Sequence, residues 1–179
     1  MKDWNVVVIV AQDHFKAACR LLEPLGPVKR THFYNTLVMR VEDVRAFLET
    51  LREWMATYPD TTEALARVAP VTSRFEFASA EEFEQQAQKI LSSYVPQLAG
   101  KRFHVRLHRR DRKSTIARSA EERLLGEMLF EALADSAQSG QVDFSDPDAV
   151  VDVETVDQQA GMAIWTREEL KRYPFLNPD

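Results

Sequence analysis

The sequence predicts an α+β protein made of two small domains. The first 78 residues carry apolar patterns in the order strand, helix, strand, strand, helix, strand. A helix start signal at residue 79 opens a second series of elements, and a strictly alternating strand pattern follows at residues 102–108. The 179 residues, of which 45% are hydrophobic, suffice for one ordinary domain or two small ones.

The first domain begins with a central strand. Residues 4–11 form an almost continuous β-branched run, as expected for a strand buried on both faces. The run is interrupted by Asn5 and is too short to cross a bilayer, which takes about 20 residues. Asp13 then occupies the position of a helix N-cap, and apolar residues recur at helical spacing up to Gly26, which predicts the first helix.

Two strands, a helix and a last extended stretch are the remaining predicted elements of this domain. Residues 28–33 and 36–41 predict two strands joined by a short turn. An apolar helical face follows over residues 44–54, and an extended stretch at residues 65–77 closes the domain. This order is that of the ferredoxin-like fold, a split β-α-β arrangement, which we predict for residues 1–78. The fold alone implies no function.

The second domain opens with a helix and a basic strand. Ser79 and Glu82 have the spacing of a capping box, which predicts a helix that continues to about Pro96. Over residues 102–108, Phe, Val and Leu alternate with Arg and His. Because successive side chains of a strand point to opposite faces, one face should enter the core and the other should be basic.

Another helix and a hairpin complete this domain. Ser119 and Glu122 have the spacing of a second capping box, and Gly126 interrupts the helix that follows. An interior glycine costs about 1 kcal/mol relative to alanine, so we expect another element to pack closely against it. Residues 143–148 predict a turn, and residues 149–165 predict a hairpin. A polar tail is expected at residues 168–179.

The most informative feature is a dense group of cations in an acidic chain. Residues 101–118 hold eight of the 23 Lys and Arg residues but only one of the 28 acids, so this segment is +7 and the remainder is −12. Such a segment predicts an anionic partner, most often nucleic acid. Guanidinium groups match phosphate bidentately, and alternate strand residues about 6.6 Å apart could follow an RNA backbone. A solvated charged face is the alternative interpretation. The predicted RNA-binding residues, the basic stripe, are Lys101, Arg102, Arg106, His108, Arg109, Arg110, Arg112, Lys113 and Arg118.

Other candidate sites carry less weight. His104 and His108 would lie about 13 Å apart on a strand, too far for one metal ion. The three acids of residues 143–148 suit turn capping better than metal binding, and Cys19 suits a small buried side chain better than a nucleophile. The chain has no phosphate-binding glycine loop and no recognisable Ser, His and acid set. We therefore expect no enzyme activity, no metal and no cofactor.

Four motifs of the second domain occur in the order of a known family. These are a basic strand and loop (RFHVRLHRRDRKS, residues 102–114), a helix with a central glycine (SAEERLLGEML, residues 119–129), an acidic-proline turn with its strand (VDFSDPDAVVDVETV, residues 142–156) and a final short strand. Together they resemble the THUMP domain over residues 79–167. The resemblance implies RNA binding, because THUMP domains are modules of tRNA-modifying enzymes that typically follow a ferredoxin-like domain.

The resemblance narrows the expected function. Nothing of the size of a catalytic domain follows residue 167, so the chain is most similar to stand-alone THUMP proteins that act as adaptors for the acetyltransferase forming 4-acetylcytidine in tRNA. We expect a noncatalytic protein that presents tRNA to a separate modifying enzyme. The single cysteine and the lack of a leader predict a cytoplasmic location. A protein-interaction module without RNA binding and a small hydrolase are the alternatives.

Overall fold

Two β-sheets, each with its own helices, organise the chain into two units. The first unit comprises Met1–Pro70 and Leu170–Asn177, and the second comprises Val71–Glu169 and Pro178–Asp179. The sequence placed this boundary between residues 78 and 79. The difference arises because residues 73–76 pair with the second sheet. The computed structural model describes residues 1–111, 118–136 and 138–179.

The first unit contains a four-stranded antiparallel sheet in the order β2-β3-β1-β4. Strand β1, buried over almost its whole length, lies between β3 and β4, as its apolar sequence predicts. This connectivity is the split β-α-β arrangement. The elements are β1 (Val6–Val10), α1 (Phe15–Leu22), β2 (Val28–Arg30), β3 (Thr36–Met39), α2 (Val44–Thr57), α3 (Pro59–Thr62) and β4 (Leu65–Pro70).

Local sequence explains where these helices start and stop. The Asp43 carboxylate caps α2 by accepting a hydrogen bond from the Ala46 N–H at 2.9 Å. The prediction that Asp13 caps α1 is wrong, because His14 precedes the helix and no side chain caps it. Gly26 adopts φ +154°, and a Cβ there would approach the Arg40 carbonyl oxygen to 2.1 Å, so the turn before β2 requires glycine.

The second unit contains a five-stranded mixed sheet in the order β5-β9-β8-β6-β7. Strand β6 is parallel to both of its neighbours, while β9 is antiparallel to β8 and β5. The prediction of one extended stretch at residues 65–77 is wrong, since β4 and β5 belong to different sheets. The elements are β5 (Ser73–Glu76), α4 (Ala80–Leu98), β6 (Arg102–His108), α5 (Arg118–Ala134), β7 (Gln141–Val142), β8 (Ala149–Val156) and β9 (Gln159–Thr166).

Helices α4 and α5 supply the core on one face of this sheet. The apolar residues of β6, Phe103, Val105 and Leu107, are buried there, as predicted. The capping box of α4 is also confirmed. The Ser79 hydroxyl accepts from the Glu82 N–H at 3.1 Å, and the Glu82 carboxylate accepts from the N–H of the residue before Ser79 at 2.7 Å.

Helix α5 departs from two predictions. Ser119 lies inside the helix, and the Glu122 carboxylate accepts from the Leu107 N–H at 2.9 Å, so the second capping box is wrong. The close packing expected at Gly126 is wrong too. Among the described residues no atom lies within 4 Å of the position where a Cβ would stand, apart from the helix's own backbone and Gly126's chain neighbours. The glycine instead borders an open groove.

The C-terminal segment is structured, whereas the sequence predicted a polar tail. Helix α6 spans Arg167–Arg172, and its last three residues belong to the first unit. A 3₁₀ turn over Pro174–Leu176 buries Phe175 and Leu176. The Arg67 Nε donates to the Leu176 carbonyl at 3.1 Å, which fixes the segment to β4. In the described part of the chain, no helix has the length and apolar character to cross a membrane.

Candidate nucleic-acid interface

Strand β6 carries the first half of the basic stripe on the sheet face opposite the helices. The sequence predicts that this face is exposed, but the His104 side chain has no exposed surface. Its ring stacks on Phe144 with centroids 5.1 Å apart. Its Nδ1 lies 3.1 Å from the Asp143 carbonyl oxygen, and its Nε2 lies 3.1 Å from Asp179 Oδ1. The acidic turn and the C-terminal residues therefore cover this part of the strand.

The acidic turn also neutralises the first guanidinium of the stripe. Arg102 contacts the Asp146 carboxylate at 2.5 Å and the Asp148 carboxylate at 3.0 Å. Hydrogen bonds from the Arg102 side chain and backbone hold the pKa of Asp148 below its usual range. Asp143 Oδ1 accepts from the backbone N–H groups of Ser145 and Asp146, so the predicted turn capping is confirmed.

Arg106, two residues beyond His104, is paired from two directions. Its Nε donates to Asp179 in a short hydrogen bond, and its Nη1 lies 3.9 Å from the Glu122 carboxylate. Burial tends to raise the pKa of Asp179, but the charges and hydrogen bonds of Arg106 and His104 outweigh it, and the net pKa is lowered. The aspartate is therefore ionised and balances the guanidinium.

The far end of the stripe faces acids on the neighbouring parallel strand β8. In the register of β6 and β8, Arg106 lies opposite Asp152, and His108 lies opposite Glu154. His108 Nε2 lies 3.7 Å from the Asp152 carboxylate. The Arg110 guanidinium pairs with Glu154, which has no exposed surface. Basic residues of β6 thus lie opposite acids of β8, an arrangement that we call the charge ladder.

The other described arginines of the stripe are also paired with carboxylates. Arg109 contacts Asp111 at 2.6 Å, and Arg118 contacts Glu122 at 3.1 Å. Lys101 is exposed, whereas Arg112 and Lys113 lie outside the described residues. Every arginine of the stripe that the structure describes is therefore paired with a carboxylate. The structure brings the stripe together, but as a row of ion pairs and not as a ridge of uncompensated cations. Its role in RNA binding stays a prediction.

One group on the ladder has the composition of a metal site. His108, Asp152 and Glu154 each offer a ligand atom, and these atoms lie within 4.8 Å of one another. Imidazole and carboxylate ligands suit zinc or a similar divalent ion. The Arg110 guanidinium already pairs with Glu154, so a cation would have to compete with it. The sequence missed this group because it depends on the register of two strands more than 40 residues apart.

The sequence also missed an apolar groove between α5 and the β6–β7 edge. Phe130, Val142 and Phe144 are exposed around it, and its volume is about 620 Å³. Gly126 lines this groove, and a larger side chain at that position would reduce the volume of the groove. Exposed aromatic clusters of this kind often mark interaction surfaces.

Comparison with known families decides the nature of the second unit. Residues 77–164 match the THUMP domain. This chain contains a THUMP domain. The matched range agrees with residues 79–167 predicted from the sequence, and it includes both strands of the ladder, β6 and β8, and helix α5. No curated protein matches the chain at a significant level.

Solved structures share the fold of both units. PH1313 from Pyrococcus horikoshii Ot3 is 13% identical, with a TM-score of 0.56 over 90% of this chain and 54% of that chain. A 4-thiouridine synthetase in complex with RNA and ATP is 13% identical, with a TM-score of 0.57 over 91% of this chain and 42% of that chain. TrmN from Thermus thermophilus is 18% identical, with a TM-score of 0.53 over 89% of this chain and 44% of that chain. The chain thus spans about half or less of their lengths.

Proposed function

We propose that this chain is a noncatalytic tRNA-binding protein that presents tRNA to a separate modifying enzyme. The observation that carries this proposal is the THUMP domain at residues 77–164, because THUMP domains are RNA-binding modules of tRNA modification. The similarity of both units to a 4-thiouridine synthetase captured with RNA supports it. The acetyltransferase forming 4-acetylcytidine is the proposed enzyme, on the resemblance to stand-alone THUMP proteins.

The environments of candidate catalytic groups support a noncatalytic role. Cys19 is partly buried, and burial raises the pKa of its thiol, so little of the reactive thiolate is present at neutral pH. His104 is buried, and each of its ring nitrogens lies 3.1 Å from an oxygen, that of the Asp143 carbonyl or that of the Asp179 carboxylate. A noncatalytic adaptor would act by tethering: it raises the effective concentration of tRNA near the enzyme and orients it.

The ion pairs change what the stripe can contribute to affinity. A phosphate that contacts Arg102 or Arg106 competes with a carboxylate that already balances the charge of the guanidinium, so part of the electrostatic gain is lost. Removing a competing carboxylate should then strengthen binding. The Asp146→Asn substitution leaves the turn's backbone bonds in place and removes the negative charge that Arg102 and Arg167 share, so it should raise the affinity for tRNA severalfold.

The direct experiment measures the affinity for tRNA as a function of salt. The logarithm of affinity should fall linearly with the logarithm of salt concentration, because bound phosphates release counterions. Replacing Arg106, Arg109 and Arg110 together by alanine should flatten the slope. Arg123→Ala is the control, since Arg123 forms an exposed ion pair with Glu127 on α5 outside the stripe. A slope that the triple substitution leaves unchanged would place the RNA elsewhere, provided that circular dichroism shows a folded protein.

The apolar groove favours a second candidate function, a protein-interaction module without RNA binding. Its exposed Phe130 and Phe144 suit a protein partner better than a polyanion, and three acids, Glu122, Glu127 and Glu131, line it against one arginine, Arg123. Phe130→Ser should then abolish capture of the modifying enzyme while the triple arginine variant retains it. Binding of tRNA by wild type that is lost in the arginine variant would argue for the adaptor.

A further inference from the structure

The first unit presents cations that differ from the stripe because no carboxylate pairs with them. Lys16 and Arg20 lie four residues apart on α1 and therefore share one face of the helix. Arg30 ends the edge strand β2. All three side chains are exposed, and none forms an ion pair with any residue that the structure describes. These charges are available to a ligand without displacement of a partner.

Aromatic rings surround these cations. Tyr34, in the loop between β2 and β3, is 79% exposed. Beside it, the His32 and Phe33 rings have centroids 4.1 Å apart. The Arg30 guanidinium lies 4.3 Å from the centroid of the Phe15 ring, a cation–π distance that holds the charge in place. The loop therefore offers ring faces next to positive charge.

Hydrogen bonds fix the conformation of this loop. The Thr31 hydroxyl donates to the Thr36 carbonyl at 2.9 Å and accepts from the Phe33 N–H at 3.1 Å. The Thr36 hydroxyl donates to the Tyr34 carbonyl at 2.9 Å. Strand β1 contributes a backbone N–H to the Asn35 carbonyl at 2.8 Å. Because the backbone on both sides of Tyr34 is held, the loop itself has little backbone entropy left to lose on binding.

Two of these cations, Lys16 and Arg30, and the aromatic rings line one depression of about 690 Å³, whereas Arg20 is not among its lining residues. Its walls are the start of α1 and residues 30–35, so it lies wholly within the first unit. Lys16 and Arg30 contribute positive charge, and Asp13 is the one acid among its lining residues. The local charge is thus positive although the chain as a whole carries −5. This complementarity points to an anionic ligand.

We propose that this surface, called the Tyr34 surface, binds a single-stranded RNA segment, with a base stacked on Tyr34 and phosphates held by Lys16 and Arg30. A peptide of acidic residues alone, such as polyglutamate, would satisfy the cations but would leave the exposed ring face unused. Single-stranded nucleic acid uses both features, because every base stacks on an aromatic ring while its backbone follows the cations. The choice of RNA rests on the proposed function.

The test uses the whole chain and a fluorescent oligouridine of about ten nucleotides, within the usual range of single-strand sites. Tyr34→Ala should weaken binding about tenfold, as expected for the loss of one stacked base. Tyr34→Phe should retain binding because the ring face remains. Tyr58→Ala is the matched control, since Tyr58 is 59% exposed in the same unit but outside the Tyr34 surface. Equal effects of Tyr34→Ala and Tyr58→Ala would overturn the proposal.

The contribution of Lys16 and Arg30 is tested by the salt dependence of oligouridine binding. Lys16→Ala and Arg30→Ala should each reduce the slope of log affinity against log salt by about 0.7, the value for one phosphate of a single strand. Lys89→Ala, on the exposed side of α4, should leave the slope unchanged. Polyglutamate serves as the competing ligand. If it displaces the RNA from wild type and from Tyr34→Ala equally well, the ring plays no part and the surface is a site for acidic peptides.

Binding of whole tRNA separates this proposal from the proposed function. If tRNA binds and Tyr34→Ala has no effect on either ligand, the Tyr34 surface is not the site, while the proposed function stands. If tRNA does not bind but the oligouridine still depends on Tyr34, the proposed function falls and the single-strand site is supported. If neither binds at physiological salt, both proposals are overturned.

Discussion

Two glycine-to-alanine substitutions in the THUMP-containing unit should change stability in opposite directions. At Gly161, on β9, a Cβ would stand 2.6 Å from Cγ2, 2.7 Å from Cγ1 and 2.8 Å from Cβ of Val71. Rotation of Val71 moves only its γ carbons, so the clash with its Cβ can be relieved only by a backbone shift. Overpacking of this kind costs about 1–3 kcal/mol.

At Gly126 the same substitution meets open space. Because the residue lies inside α5 and no described atom is near, an alanine gains helix propensity without strain. The gain relative to glycine is about 0.5–1 kcal/mol. The two variants should therefore differ by about 1.5–4 kcal/mol in the free energy of unfolding, although each adds one methyl group.

Urea denaturation followed by far-UV circular dichroism measures both effects, and amide hydrogen exchange in β9 and α5 assigns them to this unit. The slope of the free energy against urea should stay constant, so that shifts in midpoint report stability. A neutral or stabilised Gly161→Ala would show that Val71 does not pack against β9 as described. A destabilised Gly126→Ala would show that the groove side of α5 is in contact with another segment.

Three further changes have defined outcomes. Arg172 and Tyr173 hold the pKa of Glu49 at about 2 instead of 4.5, so this carboxylate stabilises the fold above pH 4.5 and the effect is lost as pH falls through 2. The difference in melting temperature between wild type and Glu49→Gln should shrink over that interval, and a constant difference would contradict the contact. Arg110→Ala removes the guanidinium partner of the buried Glu154 and should cost about 3 kcal/mol, with a smaller loss in a Glu154→Gln background. Ser79→Ala removes the cap of α4 and should cost about 1 kcal/mol by urea denaturation, whereas a loss below 0.3 kcal/mol would contradict the capping box.

Local patterns predicted most of the fold. The apolar run of β1, the alternation of β6 and the capping box at Ser79 each depend on neighbours in sequence, and the structure confirms all three. The extended stretch at residues 65–77 was predicted as one strand because propensity does not show to which sheet a strand belongs. Gly126 was misinterpreted for a similar reason, since its exposure depends on distant elements.

The candidate site was less predictable than the fold. A count of charges along residues 101–118 could identify the basic stripe, but apart from Asp111 its ion-pair partners come from residues 143–154, from Asp179 and from α5. Those pairings depend on strand register and on the path of the C-terminal residues. Tyr34 and Lys16, in contrast, belong to no charge run, so only their positions in space bring them together.

The charge ladder between β6 and β8 also determines how these strands can align. Arg106 faces Asp152 and His108 faces Glu154. If β8 slid by one residue, valines would face the cations, and the two acids would turn toward the hydrocarbon core beneath α4 and α5. An ionised carboxylate in such surroundings is strongly disfavoured. Burial of Asp152 and Glu154 lowers the free energy of unfolding when each acid is considered alone. The same two acids would nevertheless prevent misalignment of β6 and β8 as the sheet assembles.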